Sequence, residues 1–111
     1  MDIEKHYLAQ GVGLLALQGR LNLASAPMLA ECVEDLICQH RPRIIIDLSQ
    51  VPSIDSSGLG ALLAGVKRAR HAGGELRIAG ANQRLLTYLR LTNLRRLLTP
   101  HQTVEQARHG W

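Results

Sequence analysis

Arg43-Ile44-Ile45-Ile46-Asp47-Leu48 is the stretch on which the fold turns. A compact β-branched run without polar alternation marks a strand buried on both faces, as strands of parallel sheets are. Ser49 to Ile54 reads as a loop, after which Leu59, Leu62, Leu63 and Val66 recur at helical spacing until Gly73-Gly74 stops the helix. Leu76 and Ile78 alternate with polar neighbours in a further strand, and Asn82 is placed to cap a helix carrying Leu85, Leu86 and Leu89. A last short strand is expected near Leu97-Leu98, before Pro100, and Thr103 with Gln106 forms a capping-box pattern opening a terminal helix. Strand–helix alternation from Ile44 onward implies right-handed crossovers and parallel strands.

Upstream, Ile3 to Leu8 reads as a strand, Gly11-Val12-Gly13 as a turn and Leu14 to Gly19 as a second strand, together a hairpin. Ser25 is expected to be the N-cap of a helix with Pro27 in its first turn. Leu29, Cys32, Val33, Leu36 and Ile37 give that helix an apolar face, and it ends before Arg41-Pro42. The expected architecture is α/β: a mixed sheet, an N-terminal hairpin followed by β-α-β units, and about four helices. No linker divides residues 1–111, which read as one domain.

The composition narrows the function. Phe is absent and aromatics total 3%, so the core must be aliphatic and base stacking on aromatic side chains has little to work with. The densest basic group, Lys67, Arg68, Arg70 and His71, lies near a helix C-terminus, where the dipole favours cations and a solvated face explains them without DNA. Cys32 and Cys38 are six apart on a helix, roughly 9 Å along its axis, beyond the ~7 Å reach of a disulfide. Free thiols, a start without an apolar signal core and no run near the ~18 residues that span a bilayer describe a soluble cytoplasmic protein without membrane insertion.

Catalytic signatures fail on context. Ser56 lacks a Gly-x-Ser-x-Gly frame, and sequence brings no histidine to it. His6, His40, His71, His101 and His109 have no metal-ligand spacing, and the cysteines lack a Cys-x-x-Cys pattern. Gly11-Val12-Gly13-Leu14-Leu15-Ala16 fits a loose dinucleotide fingerprint, but a strand follows where a helix is needed. Gly60 to Gly65 resembles half a phosphate loop, but the glycines lie inside a helix. No enzyme, cofactor or metal reading survives.

Ile54-Asp55-Ser56-Ser57-Gly58-Leu59-Gly60 is the informative site. It lies beyond the carboxyl end of the most buried strand, where open α/β sheets carry their binding sites. Asp55, Ser56 and Ser57 are each able to accept from the free N–H groups of a first helical turn. Gly58 and Gly60 offer close approach to a partner backbone. The spacing of Leu59 with Leu62 and Leu63 predicts its burial. From these residues alone a well-made helix cap, worth about 1 kcal/mol, is the plainer reading and a binding site the other.

The chain resembles the STAS domains of the anti-sigma factor antagonist family. The resemblance is carried by Ile45-Ile46-Asp47-Leu48-Ser49 followed by Ile54-Asp55-Ser56-Ser57-Gly58-Leu59-Gly60. Gly19-Arg20-Leu21, Ser25-Ala26-Pro27, Gly73-Gly74 and Leu91-Thr92-Asn93-Leu94 extend it across about residues 14 to 107. It implies a phosphorylation site at Ser56 and a partner switch. The unphosphorylated protein binds an ATP-binding anti-sigma factor that is also a serine kinase, and so frees a sigma factor. A metal-dependent serine phosphatase resets the switch. The implied partner-binding residues are Asp55, Ser56, Ser57, Gly58, Leu59 and Gly60, joined by Arg20, Asn22 and Ser25. Three positions depart from the family: Asn22 replaces a frequent acidic residue, Gln83 a frequent proline, and Asn93 a frequent glycine whose left-handed backbone Asn tolerates. STAS modules of other systems, in secretion or biofilm control or as transporter subunits, are the alternative, and the retained Ser56 weighs against the transporter form.

Overall fold

A computed structural model describes residues 1–111. Five strands stand in the spatial order of the sequence: β1 (Asp2–Tyr7), β2 (Val12–Gln18), β3 (Arg43–Gln50), β4 (Glu75–Ala79) and β5 (Thr99–His101). β1 pairs antiparallel with β2, and β2 through β5 are parallel to one another. The sheet is mixed, as expected, and the isoleucine-rich β3 is its centre. Four helices accompany it: α1 (Ala26–Cys38), α2 (Ser56–His71), α3 (Gln83–Leu91) and the short α4 (Val104–Ala107).

Strand alternation assigns each residue to a layer. Leu15, Leu17, Ile44, Ile46, Leu48, Leu76 and Ile78 face one way and form the main core with Leu29, Val33 and Leu36 of α1, Leu62 and Val66 of α2, and Leu85 and Leu89 of α3. Val12, Ile45 and Ala79 face the other way, against Ala107 of α4 with Leu8, Leu14, Val104 and Trp111 beside it. Ile44, Ile45 and Ile46 are all fully buried, each contributing about 1.5–3 kcal/mol by removal from water.

Several local expectations change. The hairpin connection is a 3-10 turn at Ala9–Gly11, and Gly13 is a β2 residue instead of a turn residue. A Cβ on Gly13 would lie 2.7 Å from Leu36 Cδ2, so this glycine lets α1 settle on the sheet. The last strand begins at Thr99, two residues later than expected, because Leu98 is buried behind a 3-10 turn at Leu94–Arg96. Asn93 is left-handed at φ 61°, the conformation its type tolerates.

Thr103 caps α4 by accepting from Gln106 N at 3.2 Å, while the Gln106 side chain accepts from Gln102 N, closing the box one residue early. Arg77 of β4 ties this end down. It donates to the carbonyls of Ala107 and His109 at 2.7 and 3.1 Å, pairs with Glu75, and lies 3.9 Å over the Trp111 ring.

His101 Nε2 on β5 is enclosed without a hydrogen-bond partner. Burial, then the neighbouring Arg77 charge, holds its imidazole below the ordinary histidine range, with Glu75 opposing. The unfolded chain therefore takes up this proton first as pH falls below about 6.5, so the stability from neutral His101 is present above that pH and lost as pH drops through the lowered folded value. His101→Gln is expected to flatten the fall in urea midpoint between about pH 7.5 and about pH 5. Equal slopes for wild type and variant would contradict this.

Candidate functional site

The site is built where two segments meet at the carboxyl edge of the sheet. Past β2, Leu21 bridges Ile54 in parallel. Leu21 N donates to Ser53 O and Asp55 N donates to Leu21 O, both at 3.1 Å. This small extension fixes the entry to α2. Asp55 is its N-cap, with Oδ1 accepting from Gly58 N at 2.8 Å. Of the three side chains expected to accept from this helix start, only Asp55 does. Ser56 and Ser57 make no side-chain hydrogen bond, and their backbone N–H groups also have no acceptor. Ser56 is exposed and Ser57 half-buried, so the first hydroxyl of the pair is the accessible one.

The neighbouring loop is locked from within. Ser25 does not cap α1 by its side chain, contrary to expectation; its backbone is already helical. Its Oγ donates to Arg20 O at 2.8 Å and accepts from Asn22 N at 2.9 Å. Asn22 Oδ1 accepts from Ala24 N and Ser25 N. Ser25 is buried as a result, and it presents the loop without being part of the surface. The loop instead shows Arg20, which forms no ion pair, and Leu23, 74% exposed.

The two glycines differ. A Cβ on Gly58 would lie 2.4 Å from Leu21 O and 2.8 Å from Leu21 Cγ, whereas one on Gly60 would meet nothing within 4 Å. Gly58 is thus a packing residue, closed to a partner, and Gly60 is open on the outer face of α2. Leu59 is buried in the main core, as its spacing predicted, so it is no exposed anchor.

Sequence reading missed the far wall. Asn82 caps α3 by accepting from Leu85 N at 2.9 Å, and its Nδ2 donates to Pro52 O at 3.1 Å, pinning α3 beside the loop before Ser56. A cleft of about 250 Å³ results, lined by Asp55, Ser56, Leu59, Arg84, Leu85 and Tyr88. Tyr88 is 49% exposed. The available signal was the i, i+4 pair Arg84 and Tyr88 on one face of an amphipathic helix, but sequence spacing does not tell which neighbour that face meets.

Known proteins resemble this chain in sequence and in shape. The chain is 28% identical over 101 residues to the TM1081 homolog of Thermotoga neapolitana, provisionally named an anti-sigma factor antagonist, covering 90% of this chain and 89% of that one. It is 26% identical over 102 residues to the anti-sigma F factor antagonist of Paenibacillus polymyxa, covering 88% and 82%. The solution structure of TM1081 superposes with a TM-score of 0.84 at 26% identity, over 99% of this chain and 88% of that one. The STAS domain family model matches residues 6–107, and the chain belongs to the STAS domain family.

Proposed function

We propose that this chain is an anti-sigma factor antagonist that works as a phosphorylation-controlled partner switch. Unphosphorylated, it binds an ATP-binding anti-sigma factor with serine kinase activity and frees a sigma factor in the cytoplasm. Phosphorylation of Ser56 breaks the complex, and a metal-dependent serine phosphatase restores it. The protein supplies a surface and has no catalysis of its own.

The observation that carries this reading is the exposed Ser56 hydroxyl at the first residue of α2, beside two backbone N–H groups without acceptors. A phosphate there adds about −1.5 to −2 charges at a helix end that favours anions, and Arg84 lines the same cleft. The protein's own fold therefore accommodates the modification, and its cost falls on the partner. Asp55, Ser56, Ser57 and Gly60 form the centre of the contact. Arg20, Asn22 and Leu23 flank it on one side and Tyr88 on the other, the exposed Leu and Tyr being the apolar anchors. Gly58, Leu59 and Ser25 shape this surface from beneath.

Affinity capture from the source cells with Ser56→Ala and Ser56→Asp baits tests the reading. The alanine form is expected to retain an ATP-binding serine kinase that the aspartate form loses. Retention of a transporter or of another regulator by the alanine form would replace the sigma-factor assignment. Gly60→Leu, on the open face, is expected to melt no lower than wild type while weakening kinase binding about tenfold or more. Undiminished binding would move the contact away from the start of α2.

A further inference from the structure

The charge of this chain is unevenly distributed. Residues 1–55 carry four Lys and Arg against seven Asp and Glu, whereas residues 56–104 carry eight against the single carboxylate of Glu75. Of those eight, Arg68 pairs with Glu34 of α1 and Arg77 with Glu75; Lys67, Arg70, Arg84, Arg90, Arg95 and Arg96 form no ion pair. The α2 dipole accounts for cations in its last turn. It does not account for Arg95 and Arg96, which belong to the 3-10 turn after α3.

Arg84 lines the cleft beside Ser56, and Arg90 and Arg95 line another hollow; Lys67 and Arg70 border a separate groove. Leu63, Val66 and Leu97 form its apolar wall and floor, and Lys67, Arg70 and His71 its rim, enclosing about 330 Å³. Leu97 is 40% exposed there, directly after Arg95-Arg96. No carboxylate lines it. Lys67 is eleven residues along α2 from Ser56, about 16 Å away on the helix axis, so this surface is separate from the switch site.

We infer that the groove is a second docking surface, for an acidic amphipathic helix of a partner protein. Such a helix lays an apolar stripe at i, i+3 and i+4 on a short apolar floor and sets carboxylates against the basic rim, which supplies complementarity without an opposing charge. A nucleic-acid backbone would satisfy the cations but leave Leu63 and Leu97 uncovered, and the three aromatics Tyr7, Tyr88 and Trp111 lie outside the groove. A membrane surface calls for protruding apolar side chains, whereas Val66 is buried in the floor.

The test is a titration of the full chain, labelled for NMR, with a synthetic Leu/Glu peptide of amphipathic helical pattern. The probes for comparison are a scrambled peptide of the same composition, a short DNA duplex, and phosphatidylcholine vesicles containing phosphatidylserine. The patterned peptide is expected to shift amides of Leu63 to His71 and Arg95 to Leu97 and to spare Ser56 to Gly60. Raising salt should weaken it. The double variant Lys67→Glu/Arg70→Glu, at exposed unpaired positions, should melt as wild type does and bind about tenfold or more weakly. No shifts, equal binding of the scrambled peptide, unchanged affinity of the double variant, or tighter binding of duplex or vesicles would each overturn the inference. All of these outcomes are independent of whether Ser56 is a switch.

Discussion

Gly58→Ala is expected to destabilise the protein by about 2–4 kcal/mol, a larger cost than any other single methyl group added near the site. The new Cβ would stand 2.4 Å from Leu21 O, and this neighbour is backbone that has nowhere to go. Leu21 O already accepts from Asp55 N, while Leu21 N donates to Ser53 O. Relief requires α2 to lift from the Leu21–Ile54 bridge, which also stretches the 2.8 Å bond from Gly58 N to Asp55 Oδ1, a cap worth about 1 kcal/mol. Gly60→Ala is the control. It adds the same methyl group in open space on the same helix and should stabilise by up to about 1 kcal/mol through helix propensity. In thermal melts the two variants should separate by about 10 °C or more. Equal melting temperatures would show that the close approach of α2 to Leu21 is wrong.

Stoichiometric phosphorylation of Ser56 is expected to weaken binding of the anti-sigma kinase about a hundredfold, equivalent to ~3 kcal/mol. The fold bears little of that change. Ser56 is exposed, its N–H and that of Ser57 are free, and Arg84 lines the cleft beside it. The penalty arises when a partner surface must desolvate a phosphate or set its own carboxylates against it. Ser56→Asp carries one charge and two oxygens, so it should reproduce the direction and only part of the size. Both forms should melt close to wild type. A phosphorylated protein that loses partner binding only because it unfolds would exclude this mechanism.

Much of this architecture was legible in the sequence because its signals are local. Ile44-Ile45-Ile46 could only be a strand covered on both faces, and β3 is central with one isoleucine on each side of the next. Asp55 and Asn82 cap the helices they precede, since an Asx side chain needs only its own backbone three residues on. Ser25 looked equally good as a cap and is not one. Its hydroxyl is taken by Arg20 O and Asn22 N, a competition set by the loop's path. Gly58 and Gly60 were indistinguishable on paper, two residues apart in one helix; the Leu21 carbonyl separates them. The cleft wall from α3 was invisible for the same reason. Which face of Arg84 and Tyr88 meets α2 depends on Asn82 reaching Pro52 O, a contact between segments thirty residues apart.

The most direct test of the switch is calorimetric titration of one purified anti-sigma kinase with two preparations of this protein, unphosphorylated and fully phosphorylated at Ser56. Tight binding of the first and a loss of about a hundredfold in the second is the predicted result. Equal affinities for the two would contradict it.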